Sequence, residues 1–396
     1  MKKIGVFLHC TPGHGGTFQY NQTILSALTS LPIDSYEIVA ASIHEEWLAY
    51  AKGLEIQAVP LPKVHWAQEL GERWKEKGLS YALYKEVTGD IHPIGKLLQE
   101  QKCDLWIFPS QEAYTFQLDV PSLGVVLDLM HRYESSFPEV SQDGEYEVRE
   151  WLLSNIVEHS TAVLVDSEIG KQQVIESYGT NADKIFALPF VAPIYIYNAN
   201  SYIEFANELK EKLPDKYLFY PAQFWEHKNH KRIVEAVYLL KQKDINVNFV
   251  FVGAQSGKHR EKVHAELLEL IDQYSLQQQI HFLGYVKDEE IPFIYQNARG
   301  LVMPTFFGPT NIPPIEAMAM GCPVAISNIY GMPAQLGDAA LFFDPNLVEE
   351  MVDCIQILWN DDHVCEELIQ KGIKQAENWG LAQFRDRLVQ IINELI

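Results

Sequence analysis

The sequence predicts an α/β fold made of two doubly wound parallel sheets, and three observations carry that expectation. Short apolar runs alternate with amphipathic helical patterns along the whole chain. The runs are near-continuously apolar, as in strands buried on both faces. The same plan occurs twice, on either side of Phe190–Pro214, a stretch with a Tyr/Asn-rich run and no clear period.

In order, the first half places strands at Lys3–His9, Tyr36–Ala41, Ile56–Val59, Leu105–Phe108, Ser122–Leu127 and Ala162–Asp166. Amphipathic stretches such as Phe18–Leu31 and Glu147–His159 supply helices between them. The second half places strands at Tyr217–Tyr220, Asn248–Gly253, Ile280–Leu283, Gly300–Met303, Val324–Ser327 and Ala340–Phe343. His230–Lys243, Lys258–Tyr274 and Glu349–Leu358 read as their helices. The expected division is a first domain 1–192, a linker 193–214 and a second domain 215–375. Ligands of such sheets sit outside the carboxyl ends of the strands, so two of them facing each other would set their loops across a central cleft.

Thirty-one basic and 53 acidic side chains among 396 residues give a net charge of −22. Neither half is basic, which argues against nucleic acid as a main partner and disfavours docking on an anionic membrane. A small local patch would allow only weak peripheral membrane association. The five cysteines (Cys10, Cys103, Cys322, Cys354, Cys365) are scattered with no close pair, pointing to a reducing, cytoplasmic setting without disulfides or bound zinc. Lys2-Lys3 followed by Ile4–Cys10 reads as a first strand and not as a leader, because the apolar run is short and breaks into Thr-Pro-Gly-His-Gly-Gly. No run approaches the roughly 18 apolar residues of a membrane span. Oligomeric state is not encoded in any of these features.

The richest stretch runs from Thr305 to Val324, Thr-Phe-Phe-Gly-Pro-Thr-Asn-Ile-Pro-Pro-Ile-Glu-Ala-Met-Ala-Met-Gly-Cys-Pro-Val. Pro313 and Pro314 suit the first positions of a helix, Thr310 or Asn311 can cap it, and Gly321 can end it in a left-handed conformation. A helix opening on a glycine-containing loop is a ready anion site. Glu316, in the first turn, would weaken phosphate binding if it pointed the same way, so it is expected to reach sideways toward neutral hydroxyls. A phosphate ligand that also carries hydroxyls fits the stretch.

Other loops fall at the same strand ends. His14-Gly15-Gly16-Thr17 follows the first strand, but it has neither the dinucleotide glycine spacing nor a P-loop lysine. Asp128-Leu-Met-His131-Arg132 follows Ser122–Leu127, where a histidine can bond a sugar hydroxyl or act as a base. Gln223-Phe-Trp-Glu-His-Lys228-Asn229-His230 places Lys228 just before a helix, suited to neutralise a diphosphate, with Asn229 as a candidate cap. Gly253 and Gly284-Tyr285 end strands where a planar ligand can approach the backbone. A serine-hydrolase elbow, a His-Glu-x-x-His pair and an acidic pair suited to a divalent metal are all absent from the sequence.

The order of these pieces resembles glycosyltransferase family 4, a retaining, sugar-nucleotide-dependent family with the two-domain GT-B fold. The matching features are the Gly15-Gly16 loop, Asp128-x-x-His131, Asp166-Ser167-Glu168, Leu188-Pro189, Lys228, Phe282-Leu-Gly284 and Gly308–Val324. The resemblance implies an acceptor-binding first domain, a donor-binding second domain, and a terminal segment 376–396, with Trp379 near its start, that crosses back to the first domain. It implies that Lys228 contacts the donor phosphates and Glu316 the ribose. Amides near Thr310, Asn311 and Ile312 would hold the diphosphate and sugar, and Gly16 would approach the phosphates from the first domain. His131 would lie near the transferred sugar, with Asp128 and Glu134 as acceptor contacts and base recognition by backbone around Gly253 and Gly284–Val286, next to Tyr285. No bound metal or cofactor is implied beyond the sugar-nucleotide donor, because the helix dipole and Lys228 stabilise the leaving diphosphate.

Two departures stand out. Gly308 occupies the place of the family's first glutamate in Glu-x7-Glu, and Gln223 the place of its arginine. Losing one charge-assisted contact costs about 1.5–3 kcal/mol, which predicts a variant donor loop with Asn311 and Thr310 supplying the missing polar contacts. A sugar-nucleotide epimerase and a non-catalytic partner subunit are the alternatives. The donor base, the sugar and the acceptor are not encoded.

Overall fold

A computed structural model describes residues 1–11, 15–32, 34–78, 80–89, 91–198 and 209–396. His14 of the glycine loop and positions 199–208 of the expected linker lie outside the described residues. Contacts divide the chain into two units: Met1–Leu129 with Glu147–Pro189 and Leu381–Ile396, and Met130–Tyr146 with Phe190–Gly380.

The first unit holds a seven-stranded parallel sheet in the order β3-β2-β1-β4-β5-β6-β7. Its strands are β1 (Lys2–Leu8), β2 (Tyr36–Ser42), β3 (Gln57–Pro60), β4 (Leu105–Ile107), β5 (Ser122–Val125), β6 (Ala162–Val165) and β7 (Ile185–Ala187). β1 pairs with β2 on one side and β4 on the other, Ile4 lying opposite both Ile38 and Leu105. Its last five residues are fully buried, which is why it reads as one apolar run. Gly5 is needed there, because a Cβ would come within 2.3 Å of the Trp106 indole. The helix Leu381–Leu395 belongs to this unit and packs on the helix Gly15–Thr29. Phe384 meets Tyr20 edge to face, and Lys2 Nζ and Tyr36 Oη donate to Asn393 Oδ1 at 2.6 and 2.9 Å.

The second unit holds a six-stranded parallel sheet in the order β10-β9-β8-β11-β12-β13. Its strands are β8 (Leu218–Pro221), β9 (Phe249–Val252), β10 (Ile280–Gly284), β11 (Gly300–Met303), β12 (Val324–Ser327) and β13 (Ala340–Phe343). Helices His230–Gln242, Lys258–Gln273, Val348–Asn360 and Asp362–Asn378 each bury apolar residues in the core around this sheet.

Expected strands form with ends shifted by at most two residues, and Gly300–Met303, Val324–Ser327 and Ala340–Phe343 form with the expected bounds. The strand β7 and the helix Glu168–Tyr178 lie outside the sequence reading. That helix begins where Ser167 Oγ accepts from the Gly170 amide and ends at Gly179 in the left-handed region. The terminal helix starts at Leu381, with Trp379 in the break after Asn378 rather than inside the helix. Among the described residues no helix is long and apolar enough to cross a membrane.

Strand order reverses between β1 and β4 in the first sheet and between β8 and β11 in the second. These switch points are where doubly wound sheets open a crevice at their carboxyl ends. Both candidate binding regions lie there.

Candidate active site

In the second unit the loops after β8 and β11 are bonded to each other. The Phe306 amide and Thr305 Oγ both donate to the His227 carbonyl, at 2.8 and 3.2 Å. The single turn Glu226–Lys228 thus holds half-buried Lys228 beside the loop that follows β11. Asn229 does not cap the helix His230–Gln242. It sits at φ 60° and donates from Nδ2 to the Pro304 and Pro345 carbonyls at 2.9 and 3.2 Å, tying three loops together.

The loop from Gly308 to Ile312 leads into the helix Pro313–Ala319, closed by Gly321 at φ 66°. The expected side-chain cap does not form: Ile312 is the capping residue and makes no side-chain bond. The opening is poor in free amides. Pro313 and Pro314 have none, and the Ile315 and Glu316 amides donate to the Ile312 carbonyl. The Asn311 amide donates to Gln335 Oε1 at 3.1 Å, and Gln335 Nε2 returns a bond to the Asn311 carbonyl at 2.8 Å. Of the amides near Thr310, Asn311 and Ile312 expected to hold the diphosphate, that of Asn311 is engaged within the protein in this structure.

Gly308 has a physical reason. Its φ is 140°, and a Cβ would fall 2.4 Å from Asn311 Nδ2. The Asn311 side chain fills the space that a longer residue at 308 would need. Asn311 is 9% exposed, and its Nδ2 is a buried donor without a partner among the described residues.

Glu316 is buried, and in this structure its oxygens meet two tyrosines. Tyr195 Oη donates to Oε1, and Tyr295 Oη to Oε2 at 2.8 Å. Burial pushes the Glu316 carboxyl up to about 7, although both tyrosine bonds favour the charged form. Each oxygen keeps a lone pair for a further hydroxyl.

At the ends of β8, β9 and β10 the backbones close on one another. The Gly253 amide donates to the Gly284 carbonyl at 3.0 Å, and a Cβ on Gly253 would lie 2.2 Å from the Ala222 carbonyl oxygen. Tyr285 follows with 69% of its surface exposed. Beside them Gln223 Oε1 accepts from Trp225 Nε1 at 3.1 Å and from Arg260 Nη1 at 2.6 Å.

Residues Met130–Tyr146 contribute more than sequence reading found. Glu139 Oε1 accepts from the His227 amide at 3.0 Å and lies 2.5 Å from His227 Nδ1. Burial would raise the Glu139 carboxyl, but the His227 ring and amide outweigh it and hold it below its ordinary value. Glu134 accepts from Tyr330 Oη, and Asp143 pairs with Lys258 at 2.7 Å. His131 is fully buried in the turn Met130–Tyr133, its ring against Tyr146, and offers no exposed atom to a sugar in this conformation. Of the two acceptor candidates, Asp128 belongs to the first unit and accepts from Arg149, and Glu134 belongs to the second.

The switch point of the first sheet holds a pair that sequence reading missed. His9 follows β1 and Glu112 follows β4, and Nδ1 lies 2.9 Å from Oε2. Burial works against an imidazolium, but Glu112 outweighs it and raises His9, while burial keeps Glu112 above its ordinary value. Glu112 Oε1 is buried with no hydrogen-bond partner among the described residues. Gly15, at φ 54°, and exposed Gly16 open the helix Gly15–Thr29 in the same unit. The only signal for the pair was position, since both residues stand just past the strands that flank the reversal.

Residues 202–375 match the family model described as Glycosyl transferases group 1. The chain is similar to O-antigen chain mannosyltransferase B of Escherichia coli, 36% identical over 113 residues, covering 28% of this chain and 30% of that protein. It is also similar to D-inositol 3-phosphate glycosyltransferase of Corynebacterium glutamicum (strain R), 20% identical over 270 residues, covering 66% of this chain and 64% of that protein. The chain spans about 30% of the length of the first curated relatives it matches. Among solved structures, a glycosyltransferase of Rickettsia africae ESF-5 has a TM-score of 0.72 at 15% identity, covering 100% of this chain and 98% of that one. The Anabaena protein HepE, solved in complex with UDP-glucose, has a TM-score of 0.72 at 14% identity, covering 100% of both chains. At these identities the likeness shows the fold, which is GT-B. Residues 202–375 thus match the group 1 glycosyl transferases, the family that the motifs of the chain resemble.

Proposed function

We propose that this chain is a retaining glycosyltransferase that moves a sugar of the mannose class from a nucleoside diphosphate to a hydroxyl-bearing acceptor, without a metal. The observation that carries the reading is the loop and helix from Gly308 to Glu316 at the switch point of the second sheet. There a buried carboxylate, an unpartnered buried amide and a lysine-bearing turn lie on neighbouring loops. Glu316 suits ribose hydroxyls, Asn311 Nδ2 a sugar hydroxyl, and Lys228 the diphosphate. As the sugar–phosphate bond breaks, negative charge grows on the departing diphosphate, and a fixed cation stabilises that state more than the ground state. The mannose class is inferred from the curated mannosyltransferases among the relatives.

The acceptor belongs, in this reading, to the first unit, at His9 and Glu112, where a half-exposed imidazole on a buried carboxylate suits a hydroxyl. His131 acts from within its buried turn by holding the 130–146 segment, and the five unpaired cysteines support a reducing, cytoplasmic setting.

The test is incubation with GDP-mannose, UDP-glucose and ADP-glucose, following diphosphate release and sugar products with and without chelator. Transfer or slow hydrolysis with one donor, unchanged by chelator and with retained anomeric configuration, is expected. Conversion of the donor sugar without acceptor would mark an epimerase. Absence of binding to every sugar nucleotide would mark a non-catalytic subunit.

A further inference from the structure

Arg260 is the third residue of the helix Lys258–Gln273, next to the carboxyl end of β9. It makes one hydrogen bond, from Nη1 to Gln223 Oε1 at 2.6 Å, and its guanidinium carbon lies 4.9 Å from the centroid of the Trp225 ring. Its Nε is buried with no partner, and no carboxylate pairs with it among the described residues. A chain with 53 acidic side chains thus leaves this cation unmatched.

The guanidinium is nevertheless fixed in place. Trp225 stacks on it, Gln223 holds one edge, and Nη2 lies 2.9 Å from where a Cβ on Gly257 would stand. Gln223 Oε1 also accepts from Trp225 Nε1, so the glutamine locks the ring and the cation together. Of the five N–H groups of an arginine, one is bonded here, leaving a planar fork of the kind that suits phosphate oxygens. Gly253, pressed against Ala222 and Gln223, puts no side chain in the notch beside them.

We propose that Arg260 binds the diphosphate of the nucleotide donor, supplying from the helix after β9 the positive charge that Gln223 does not carry. Gln223 is its positioning residue and Trp225 its platform. With the Asn311 amide engaged by Gln335, a second cation beside Lys228 adds charge that this turn does not supply through that amide. This inference rests on the donor reading above.

The experiment is calorimetry of the full chain with GDP, UDP and ADP, and with guanosine, uridine and adenosine, at low and moderate salt. Wild type is compared with Arg260→Gln, Arg260→Lys and the double variant Gln223→Arg/Arg260→Gln. Arg260→Gln should weaken the preferred diphosphate about 10- to 100-fold, as expected for a lost charge-assisted bond. It should leave nucleoside affinity unchanged and flatten the salt dependence. Arg260→Lys should fall between, and the double variant should regain most of the affinity. Diphosphate affinity within about twofold of wild type in Arg260→Gln, with wild type binding well, would overturn the role of Arg260 and leave the donor reading standing. Failure of wild type to bind any diphosphate would overturn both.

Discussion

Replacing Glu316 by glutamine should stabilise the protein while removing its activity, and the size of the effect follows from burial. The carboxyl is 5% exposed, and burial raises its pKa from the ordinary 4.5 to about 7. Between those values the unfolded chain has lost the proton that the folded chain keeps. The folded state then binds more protons, so its stability falls as pH rises. The contribution is complete below pH 4.5 and lost as pH rises to about 7. At about 1.4 kcal/mol per pH unit, that interval amounts to about 3 kcal/mol. Above it the folded protein carries a buried carboxylate supported only by Tyr195 and Tyr295. A glutamine keeps the shape and one acceptor oxygen without the charge. Glu316→Gln should therefore match wild type near pH 5 and exceed it at pH 8 by up to about 3 kcal/mol, roughly 6–12 °C for a unit of about 200 residues. Scanning calorimetry at the two pH values, without nucleotide, reads the difference. Calorimetric titration with the donor should show affinity lowered about 10- to 100-fold, because ribose hydroxyls lose a charged acceptor. Equal melting differences at pH 5 and pH 8 would refute the raised pKa, and undiminished donor binding would refute the ribose assignment.

Glu139→Ala should loosen the Glu226–Lys228 turn, costing about 3 kcal/mol as a broken buried pair and weakening diphosphate binding more than nucleoside binding. Because the Glu139 carboxyl is held low, its contribution is present above the ordinary carboxylate pKa and lost as pH falls, so urea unfolding should find the two proteins converging toward acid. Gly308→Glu should lower donor affinity at least tenfold by displacing Asn311, with partial recovery in Gly308→Glu/Asn311→Ala; full affinity in the single variant would remove steric exclusion as the reason for Gly308. Gly5→Ala, which sets a methyl into the Trp106 ring, should cost about 1–3 kcal/mol in urea unfolding, and a change under about 0.5 kcal/mol would contradict that packing.

The strands were legible because parallel strands buried on both faces leave continuous apolar runs. β7 escaped because its three residues continue without a break into Leu188-Pro189-Phe190, and the proline makes the whole run read as the way into the linker. The donor loop was legible through its prolines, its glycines and one carboxylate in an apolar helix. What it binds to itself was not: the Gln335 clamp on Asn311 spans 24 positions, and the Tyr195 bond to Glu316 spans 121. Gly308 stands out in the sequence as an anomaly, but its counterpart Asn311 is recognisable only in the fold, where the two meet in space. Glu112, Glu139 and Arg260 look like ordinary polar residues of loops and helix faces. Burial and strand order, which act through space, are what single them out.

The chain passes between the two units at 129/130, 146/147, 189/190 and 380/381. Neither unit is therefore one continuous stretch of polypeptide. During synthesis, β1 and the helix Gly15–Thr29 emerge early, but the helix Leu381–Leu395 that packs on them is made some 360 residues later. At about 5–20 residues per second, the first unit waits tens of seconds with the face around Tyr20 uncovered. The second unit, whose described sheet lies wholly within 218–343, has all its strands before that helix exists. The order of folding then runs against the order of translation: the unit that begins first is the one completed last.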